Sequence, residues 1–226
     1  MVLILYHGSD HIISEPQYGK GSARNDYGRG FYCTESEELA KEWACSKGGD
    51  GYANAYQMDL EGLNILRLNA PEYNILNWLA VLTSNRTYWE KSSISETAKD
   101  YLKENFLIDL TGYDVIIGYR ADDSYFSFAQ SFAANTISLR QLSEAMRLGK
   151  LGEQVVLKSR EAFARLSFMG ARKADGSEYF AKKTERDRNA RQEYRKRVRE
   201  QASTEDLYML DIMREGIKNG DARLFL

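Results

Sequence analysis

Two short segments decide the fold, Leu5-Tyr6-His7-Gly8-Ser9 and Asp26-Tyr27-Gly28-Arg29-Gly30-Phe31-Tyr32. The first reads as a short buried strand, residues 2–6, that ends in a His-Gly-Ser turn. The second leads out of a loop rich in Gly, Asn, Asp and Ser into an aromatic strand, residues 30–34. Taken alone, each segment is a turn that needs no ligand to explain it.

The residue types in these segments suit a nucleotide ligand. Glycine lets a ligand approach the backbone closely, so the N–H and C=O of Gly8 can pair with a planar amide such as nicotinamide. The neighbouring His7 can hydrogen-bond a ribose hydroxyl. Tyr32 and, eleven residues later, Trp43 offer two aromatic faces that can hold a ring by stacking. A strand-ending turn and aromatic residues of the core are the competing interpretations.

The rest of the chain alternates short strand patterns with helical ones, which predicts the α+β class. Thr34 is predicted to cap the first helix, with Glu37 completing a capping box. The predicted strands are residues 53–60, 63–68, 113–118 and 154–157. The predicted helices are residues 36–46, 71–85, 95–105, 124–135, 138–149, 159–166 and 207–213.

The composition shifts after Gly176. Residues 182–200 hold nine Lys or Arg and four Asp or Glu, which predicts a long solvated helix outside the core. We therefore predict a core domain, residues 1–172, and a charged helical extension, residues 173–226. Arg191, Arg195 and Arg199 share one face of that helix, which can contact nucleic-acid phosphates or remain an ordinary exposed charged face.

Bulk properties exclude several classes. The net charge is -2, so no global field marks a nucleic-acid or membrane binder. Two cysteines make neither a disulfide framework nor a zinc site, and we expect no metal. No stretch approaches a membrane span of about 18 apolar residues, and no signal segment is recognisable. We expect a cytoplasmic protein, or one delivered into a target cell without a signal peptide.

The order of the motifs resembles a known superfamily. His-Gly-Ser, then Gly-Arg-Gly-Phe-Tyr before a helix, then the late strand Gln154-Val155-Val156-Leu157 resembles the diphtheria-toxin and poly(ADP-ribose) polymerase branch of the ADP-ribosyltransferases. Tyr113-Asp114-Val115-Ile116-Ile117-Gly118 followed by Ala121-Asp122-Asp123 resembles an uncharacterised, toxin-like bacterial family of that superfamily. The resemblance covers about residues 3–170. It implies a split antiparallel β core with flanking helices.

The resemblance also implies NAD⁺ as substrate and a role for individual residues. His7 binds the adenine-side ribose, Gly8 pairs with the nicotinamide amide and Tyr32 stacks on the ring. Trp43 falls where the family often has a second stacking aromatic. The predicted NAD⁺-binding residues are His7, Gly8, Ser9, Arg24, Asn25, Gly30, Tyr32 and Trp43.

Within that set, Arg24 and Asn25 are predicted from the loop itself. They can reach the NAD⁺ diphosphate, with Arg24 as the charge partner, or Arg24 can be a solvated loop arginine. Asp122 and Asp123 follow the most apolar strand, where catalytic carboxylates are often found. Their alternative is to cap the next helix.

The third catalytic position of the family's His–Tyr–Glu triad falls on Glu153 or Gln154. Side chains of consecutive strand residues point to opposite faces, so only one of the two faces the cleft. A carboxylate stabilises the cationic centre that forms as nicotinamide leaves. A glutamine still orients the ribose but supplies less of that stabilisation. The alternation of Val155, Val156 and Leu157 leaves both open.

The resemblance implies an enzyme, a mono-ADP-ribosyltransferase acting on a macromolecule, in the manner of a bacterial toxin, effector or toxin of a toxin–antitoxin pair. An antitoxin or immunity protein is then an expected partner, and no membrane partner is expected. Two alternatives remain on the residues alone. One is a catalytically weak NAD⁺- or ADP-ribose-binding module or an NAD⁺ glycohydrolase; the other is a transferase acting on RNA or DNA.

Overall fold

A computed structural model of the chain describes residues 1–87, 92–148, 152–200 and 206–225, and in residues 123, 124 and 197–200 the backbone alone. It is a mixed α+β protein with two sheets, which confirms the predicted class. The strands are β1 (Val2–Ser9), β2 (Phe31–Cys33), β3 (Gly51–Asp59), β4 (Ile65–Arg67), β5 (Val115–Tyr119), β6 (Glu153–Leu157) and β7 (Leu166–Ala174). The helices are α1 (Glu37–Ala44), α2 (Ile75–Asn85), α3 (Ser93–Phe106), α4 (Asp123–Ala133), α5 (Leu139–Ala145), α6 (Arg160–Ala164), α7 (Gly176–Glu200) and α8 (Met209–Arg214).

The strands form a three-stranded sheet in the order β1-β3-β7 and a four-stranded sheet in the order β2-β6-β5-β4. All pairings are antiparallel except that of β4 with β5. One bridge joins the two sheets: Tyr6 and Thr34 exchange two backbone hydrogen bonds of 2.7 and 2.9 Å. Beyond that bridge β1 stays paired with β3, whereas β2 continues along β6, and the two sheets part.

Alternating strand residues divide the core between two layers. Val155 and Leu157 of β6 pack with Leu5 and Met58 of the other sheet, which places one apolar cluster between the sheets. Val156 points the other way, into a larger cluster with the helices. This cluster includes Leu79 of α2, Leu102 of α3, Phe132 of α4, Leu142 of α5 and Ile212 of α8, all at most 1 % exposed. Burying that much apolar surface is the main force that holds the sheet and helices together.

Three expectations about local structure were wrong. β1 does not end before His-Gly-Ser: it runs through Ser9, because His7, Gly8 and Ser9 pair with Asn54, Ala53 and Tyr52 of β3. The first helix is capped by Ser36, whose side chain accepts from the Leu39 N–H, and not by Thr34. β7 was not predicted at all, since its exposed residues show no clear alternation and its pairing with β3 spans the whole middle of the chain.

The charged C-terminal helix also contributes to the apolar core. In α7, Ala190 is 2 % exposed and belongs to the large apolar cluster, as do Met209 and Ile212 of α8. Position 172 lies within β7, so the strand passes through the expected boundary between residues 1–172 and 173–226. The division into two domains stays a prediction. Position 149, the expected end of the α5 helix, lies outside the described residues, and so does the side chain of Arg199.

Among the described residues, no helix is long and apolar enough to cross a membrane.

Candidate functional site

A cavity of about 680 Å³ opens where the two sheets part. Its size falls within the usual range for small-molecule sites, roughly 300–1,000 Å³. Residues 11–17 of the loop after β1 form one wall and residues 120–122, after β5, form another. The sequence-predicted residues on the wall are His7, Asn25, Gly30, Tyr32, Trp43, Asp122 and Gln154.

His7 is fixed between the two sheets. Its Nδ1 lies 2.7 Å from the backbone carbonyl oxygen of Tyr32, which can only accept, so Nδ1 carries the proton. The ring stacks on Phe31 with centroids 4.3 Å apart. Burial lowers the pKa of His7 from its usual value of 6.5, against the hydrogen bond to Tyr32, which raises it. A neutral ring held in this tautomer presents Nε2 as a hydrogen-bond acceptor.

Gly8 is required by the packing of α1. A Cβ at this position would lie 2.0 Å from the Ala40 carbonyl oxygen and 2.8 Å from Trp43 Cβ. Because backbone groups of a strand alternate sides, the N–H and C=O of Gly8 face the same side as those of Tyr6, away from β3. That is the side on which Tyr6 bonds Thr34, but Gly8 itself is not on the cavity wall. Ser9 does not line the cavity; its hydroxyl contacts Asp10 and His11 at the start of the loop.

Tyr32 holds the second opening segment in place. Its hydroxyl donates to the Gly28 carbonyl oxygen at 2.6 Å and accepts from the Tyr27 N–H at 3.0 Å. Desolvation raises the pKa of the phenol, which therefore stays protonated. The ring is partly buried and lines the cavity. Tyr32 pairs with Val156 across β2 and β6, so its side chain shares a face with Val156 and Gln154.

Trp43 lies on the cavity wall but is partly occupied within the protein. The Arg120 guanidinium carbon stands 3.6 Å from the centroid of its ring, a cation–π contact that covers one face. The indole Nε1 is buried without a hydrogen-bond partner among the described residues. A ligand ring can therefore use only the other face of Trp43.

Register places Gln154 in the cavity and Glu153 outside it. Gln154 pairs with Gly118 of β5 and is 3 % exposed, with its side chain on the cavity wall. Glu153 is half-buried on the opposite face of β6. Burial raises the pKa of Glu153, with Arg67 lowering it and Glu35 raising it. Of the two residues left open by the sequence, Gln154 is the one that shares the cavity with His7 and Tyr32.

Asp26 is a cavity residue that was not singled out from the sequence. It is 6 % exposed, and its carboxylate accepts three hydrogen bonds. Oδ1 accepts from Arg86 at 2.9 Å, whereas Oδ2 accepts from the Ala121 N–H at 2.8 Å and from Gln154 Nε2 at 2.7 Å. The sequence offered one signal for Asp26: it is an acidic residue that directly precedes an aromatic residue, Tyr27, within the opening motif.

Three cationic side chains line the cavity: Arg86, Arg120 and the exposed Lys20. Arg86 also donates to the Ala121 carbonyl oxygen at 2.7 Å. Arg120 pairs through Nε with Asp122, while its Nη1 is buried and unbonded among the described residues. Desolvation lowers the pKa of Arg120 to about 10, which still leaves it charged near neutral pH. Nη1 has almost no accessible surface, so an anion reaches it only if the surrounding side chains move.

Of the two aspartates after β5, the structure describes only the side chain of Asp122, which lines the cavity. Asp122 stands at the N-cap position of α4 but makes no capping hydrogen bond. Its carboxylate pairs instead with Arg120 and, at 3.4 Å, with Arg186 of α7. Asp123 begins α4, and its side chain lies outside the described residues. Arg24 is exposed and away from the cavity wall, whereas Asn25 lies on it.

The loop wall is tied to β3. Asn54 accepts from the Ile13 N–H at 2.9 Å and donates to the carbonyl oxygens of His7 and His11, both at 3.3 Å. Tyr56 donates to the Ile13 carbonyl oxygen at 2.5 Å. Residues 11–13 are therefore held against the end of β1. In the part of the chain that the structure describes, no group of three His, Cys, Asp or Glu side chains is arranged to hold a metal.

A family model described as "Protein of unknown function (DUF3990)" matches residues 3–168, and the chain belongs to this family. The match includes both sheets up to the third residue of β7, together with every strand that lines the cavity. No curated protein matches the chain, nor does any solved structure.

Proposed function

We propose that this member of the DUF3990 family is a mono-ADP-ribosyltransferase, which cleaves NAD⁺ and transfers ADP-ribose to a macromolecular target. One observation carries the proposal: His7, Tyr32 and Gln154, from three different strands, line one cavity. These are the positions to which the motif order assigns a ribose, a nicotinamide ring and the third catalytic group. The parting of two sheets at the cavity also suits the split β core of the ADP-ribosyltransferases.

The polar groups of the cavity suit the parts of NAD⁺ in turn. The backbone edge of Gly8 pairs with the nicotinamide amide, and Tyr32 stacks on the ring. The acceptor Nε2 of His7 takes a hydroxyl of the adenine-side ribose. The guanidinium of Arg120, which lines the cavity, serves the diphosphate as the charged donor, a role that the exposed Arg24 does not fill.

The reaction breaks the bond between the nicotinamide nitrogen and C1′ of its ribose. Nicotinamide leaves with the bonding electron pair as a neutral molecule, and positive charge develops on C1′ and the ring oxygen. The acceptor then attacks C1′ and loses a proton. Gln154, as an acceptor for the ribose 2′-hydroxyl, orients the sugar and stabilises that charge.

An NAD⁺ glycohydrolase is the second candidate. Water in place of a macromolecule gives free ADP-ribose. The same cavity serves both reactions.

Incubation with NAD⁺ labelled in the adenylate half, alone and with cell lysate, tests the proposal. A transferase leaves label on macromolecules, and digestion with protease or nuclease identifies the acceptor as protein or nucleic acid. Free labelled ADP-ribose without labelled macromolecules indicates the glycohydrolase. His7→Ala and Tyr32→Ala should each reduce labelling by about tenfold or more; full labelling by both variants contradicts the assignment of the cavity.

A further inference from the structure

The side-chain amide of Gln154 has no freedom to turn. Its Nε2 donates to Asp26 Oδ2 at 2.7 Å and to the Tyr119 carbonyl oxygen at 3.2 Å. A carboxylate and a carbonyl oxygen are acceptors only, so a flipped amide would set Oε1 against two other oxygens. Both amide hydrogens are thus used inside the protein, and Oε1 is the group that remains for a ligand in the cavity.

Asp26 is itself fixed from three directions. Arg86 holds Oδ1, and the Ala121 N–H shares Oδ2 with Gln154. Arg86 is placed by a second bond to the Ala121 carbonyl oxygen and lies over the Phe126 ring, 4.1 Å from its centroid. The carboxylate therefore keeps its position whether or not a ligand is bound.

We infer that Asp26 and Gln154 act as one unit, in which Asp26 is the positioning residue and Gln154 Oε1 is the acceptor for the 2′-hydroxyl of an NAD⁺-type nucleotide. A hydrogen bond to a charged acceptor is stronger than a neutral one and polarises the donor group. The amide of Gln154 accordingly carries more negative charge on Oε1. The inference rests on the proposed function and deepens it.

This unit accounts for the neutral residue at position 154. The superfamily's triad has a carboxylate in the cavity at this position. In this chain the carboxylate of Asp26 lies behind Gln154 and polarises its amide through a hydrogen bond. The negative charge comes from Asp26 in the loop before β2, next to Gln154 of β6. A second carboxylate at 154 would lie within hydrogen-bond distance of Asp26 and repel it.

The kinetic test is Asp26→Asn. The NH₂ group of an asparagine would face at least one of the donors that Asp26 now accepts from, which are Arg86, the Ala121 N–H and Gln154 Nε2. The Gln154 amide would then lose its fixed orientation. We expect kcat for nicotinamide release to fall about 100-fold, with KM for NAD⁺ within about threefold of the wild type. Asp114→Asn, at the opposite end of β5, is the matched control and should keep wild-type kcat; its carboxylate also accepts a backbone N–H, from Asn64 at 2.8 Å.

A stability measurement tests the coupling without NAD⁺. In Gln154→Glu the new carboxyl shares a proton with Asp26, so its folded pKa exceeds the unfolded value of about 4.3. Stability is then lost as the pH rises above about 4.3, up to the folded pKa. Thermal unfolding of this variant should show that loss relative to the wild type. In the double variant Asp26→Asn with Gln154→Glu the loss should be smaller, because only the burial of the new carboxyl remains.

The outcomes separate the two proposals. If the wild type releases nicotinamide and Asp26→Asn has unchanged kcat, the Asp26–Gln154 unit is refuted and the proposed function stands. A parallel rise in KM and fall in melting temperature at unchanged kcat also refutes it, because a purely structural role predicts that pattern. If the wild type releases no nicotinamide, both the proposed function and the inference that rests on it are refuted. Equal pH dependence of the single and double variants refutes the coupling.

Discussion

Glu153 and Gln154 are neighbours in β6, yet the two faces of the strand give them opposite surroundings. Gln154 is 3 % exposed, lines the cavity, and has both amide hydrogens bonded to fixed oxygens. Glu153 is half-buried on the other face, where Arg67 and Glu35 are its charged neighbours. The ionisable residue is turned away from the cavity, and the neutral residue faces it.

The register of β6, and not the chemistry of the two residues, therefore decides which side chain faces the cavity. A shift of one residue would exchange every side chain between the faces, and the apolar residues prevent it: Val155 and Leu157 are needed between the sheets, and Val156 against the helices. The missing negative charge is then supplied by Asp26 from a loop. Four sets of substitutions test the contrast between the two faces.

The largest effect is expected from removing the cavity-side residue. Gln154→Ala should lower kcat for nicotinamide release by about 10²–10³, the usual cost of losing one group that stabilises transition-state charge. Glu153→Ala, on the other face, should change it by less than about threefold. Steady-state kinetics on the two purified variants measures both. A larger loss in Glu153→Ala than in Gln154→Ala would reverse the assignment of the faces.

The cavity face extends to β1, where the two histidines of the chain can be compared. His7→Ala removes a partly buried acceptor and should lower kcat/KM about tenfold, as expected for one hydrogen bond of about 1.5 kcal/mol. His11→Ala removes a ring that is 69 % exposed and should stay within about twofold. Equal effects on kcat/KM would show that His7 has no specific contact with the substrate.

The geometry of the cavity face depends on Gly8. Gly8→Ala drives a methyl group into the α1 backbone at Ala40 and should reduce the free energy of unfolding by about 1–3 kcal/mol. Gly49→Ala is the control, since its methyl group meets nothing within 4 Å. Urea unfolding compares the two. A Gly8→Ala protein as stable as Gly49→Ala would mean that α1 does not pack on β1 this closely.

The smallest effect belongs to the outer face. Burial raises the folded pKa of Glu153, so its ionisation costs stability once the pH exceeds the unfolded value of about 4.3. Glu153→Gln should therefore stabilise the protein at neutral pH, by less than about 1 kcal/mol because the side chain is partly solvated. The gain should vanish near pH 4. Thermal melts across pH 4–7 measure it, and a variant that is less stable at neutral pH contradicts it.

The sequence was informative where a contact is local or a motif is short. The α+β class and most strand and helix centres follow from such patterns, whereas the roles of His7, Tyr32 and position 154 stay predictions. The choice between Glu153 and Gln154 was not readable, because it depends on which apolar layer Val156 joins. Asp26 was missed because its partners Arg86, Ala121 and Gln154 are 60, 95 and 128 residues away.

Two further features depend on long-range packing that no local pattern reports. β7 exists because β3 offers it a paired edge, and the two strands are separated by almost half of the chain. Arg120 lies over Trp43 because the turn after β5 meets α1. Residue propensities alone predict neither the β7 strand nor the contact between Arg120 and Trp43. Strand formation depends on the neighbouring strands and on burial.

Release of nicotinamide from NAD⁺ by the purified wild-type chain tests the central claim most directly. Chromatography of the reaction against an enzyme-free blank measures it, with and without lysate as a source of acceptors. The account predicts nicotinamide in molar excess over the protein, at a rate that increases when lysate is added. Nicotinamide at the level of the blank under both conditions, from a protein that melts cooperatively, would contradict it.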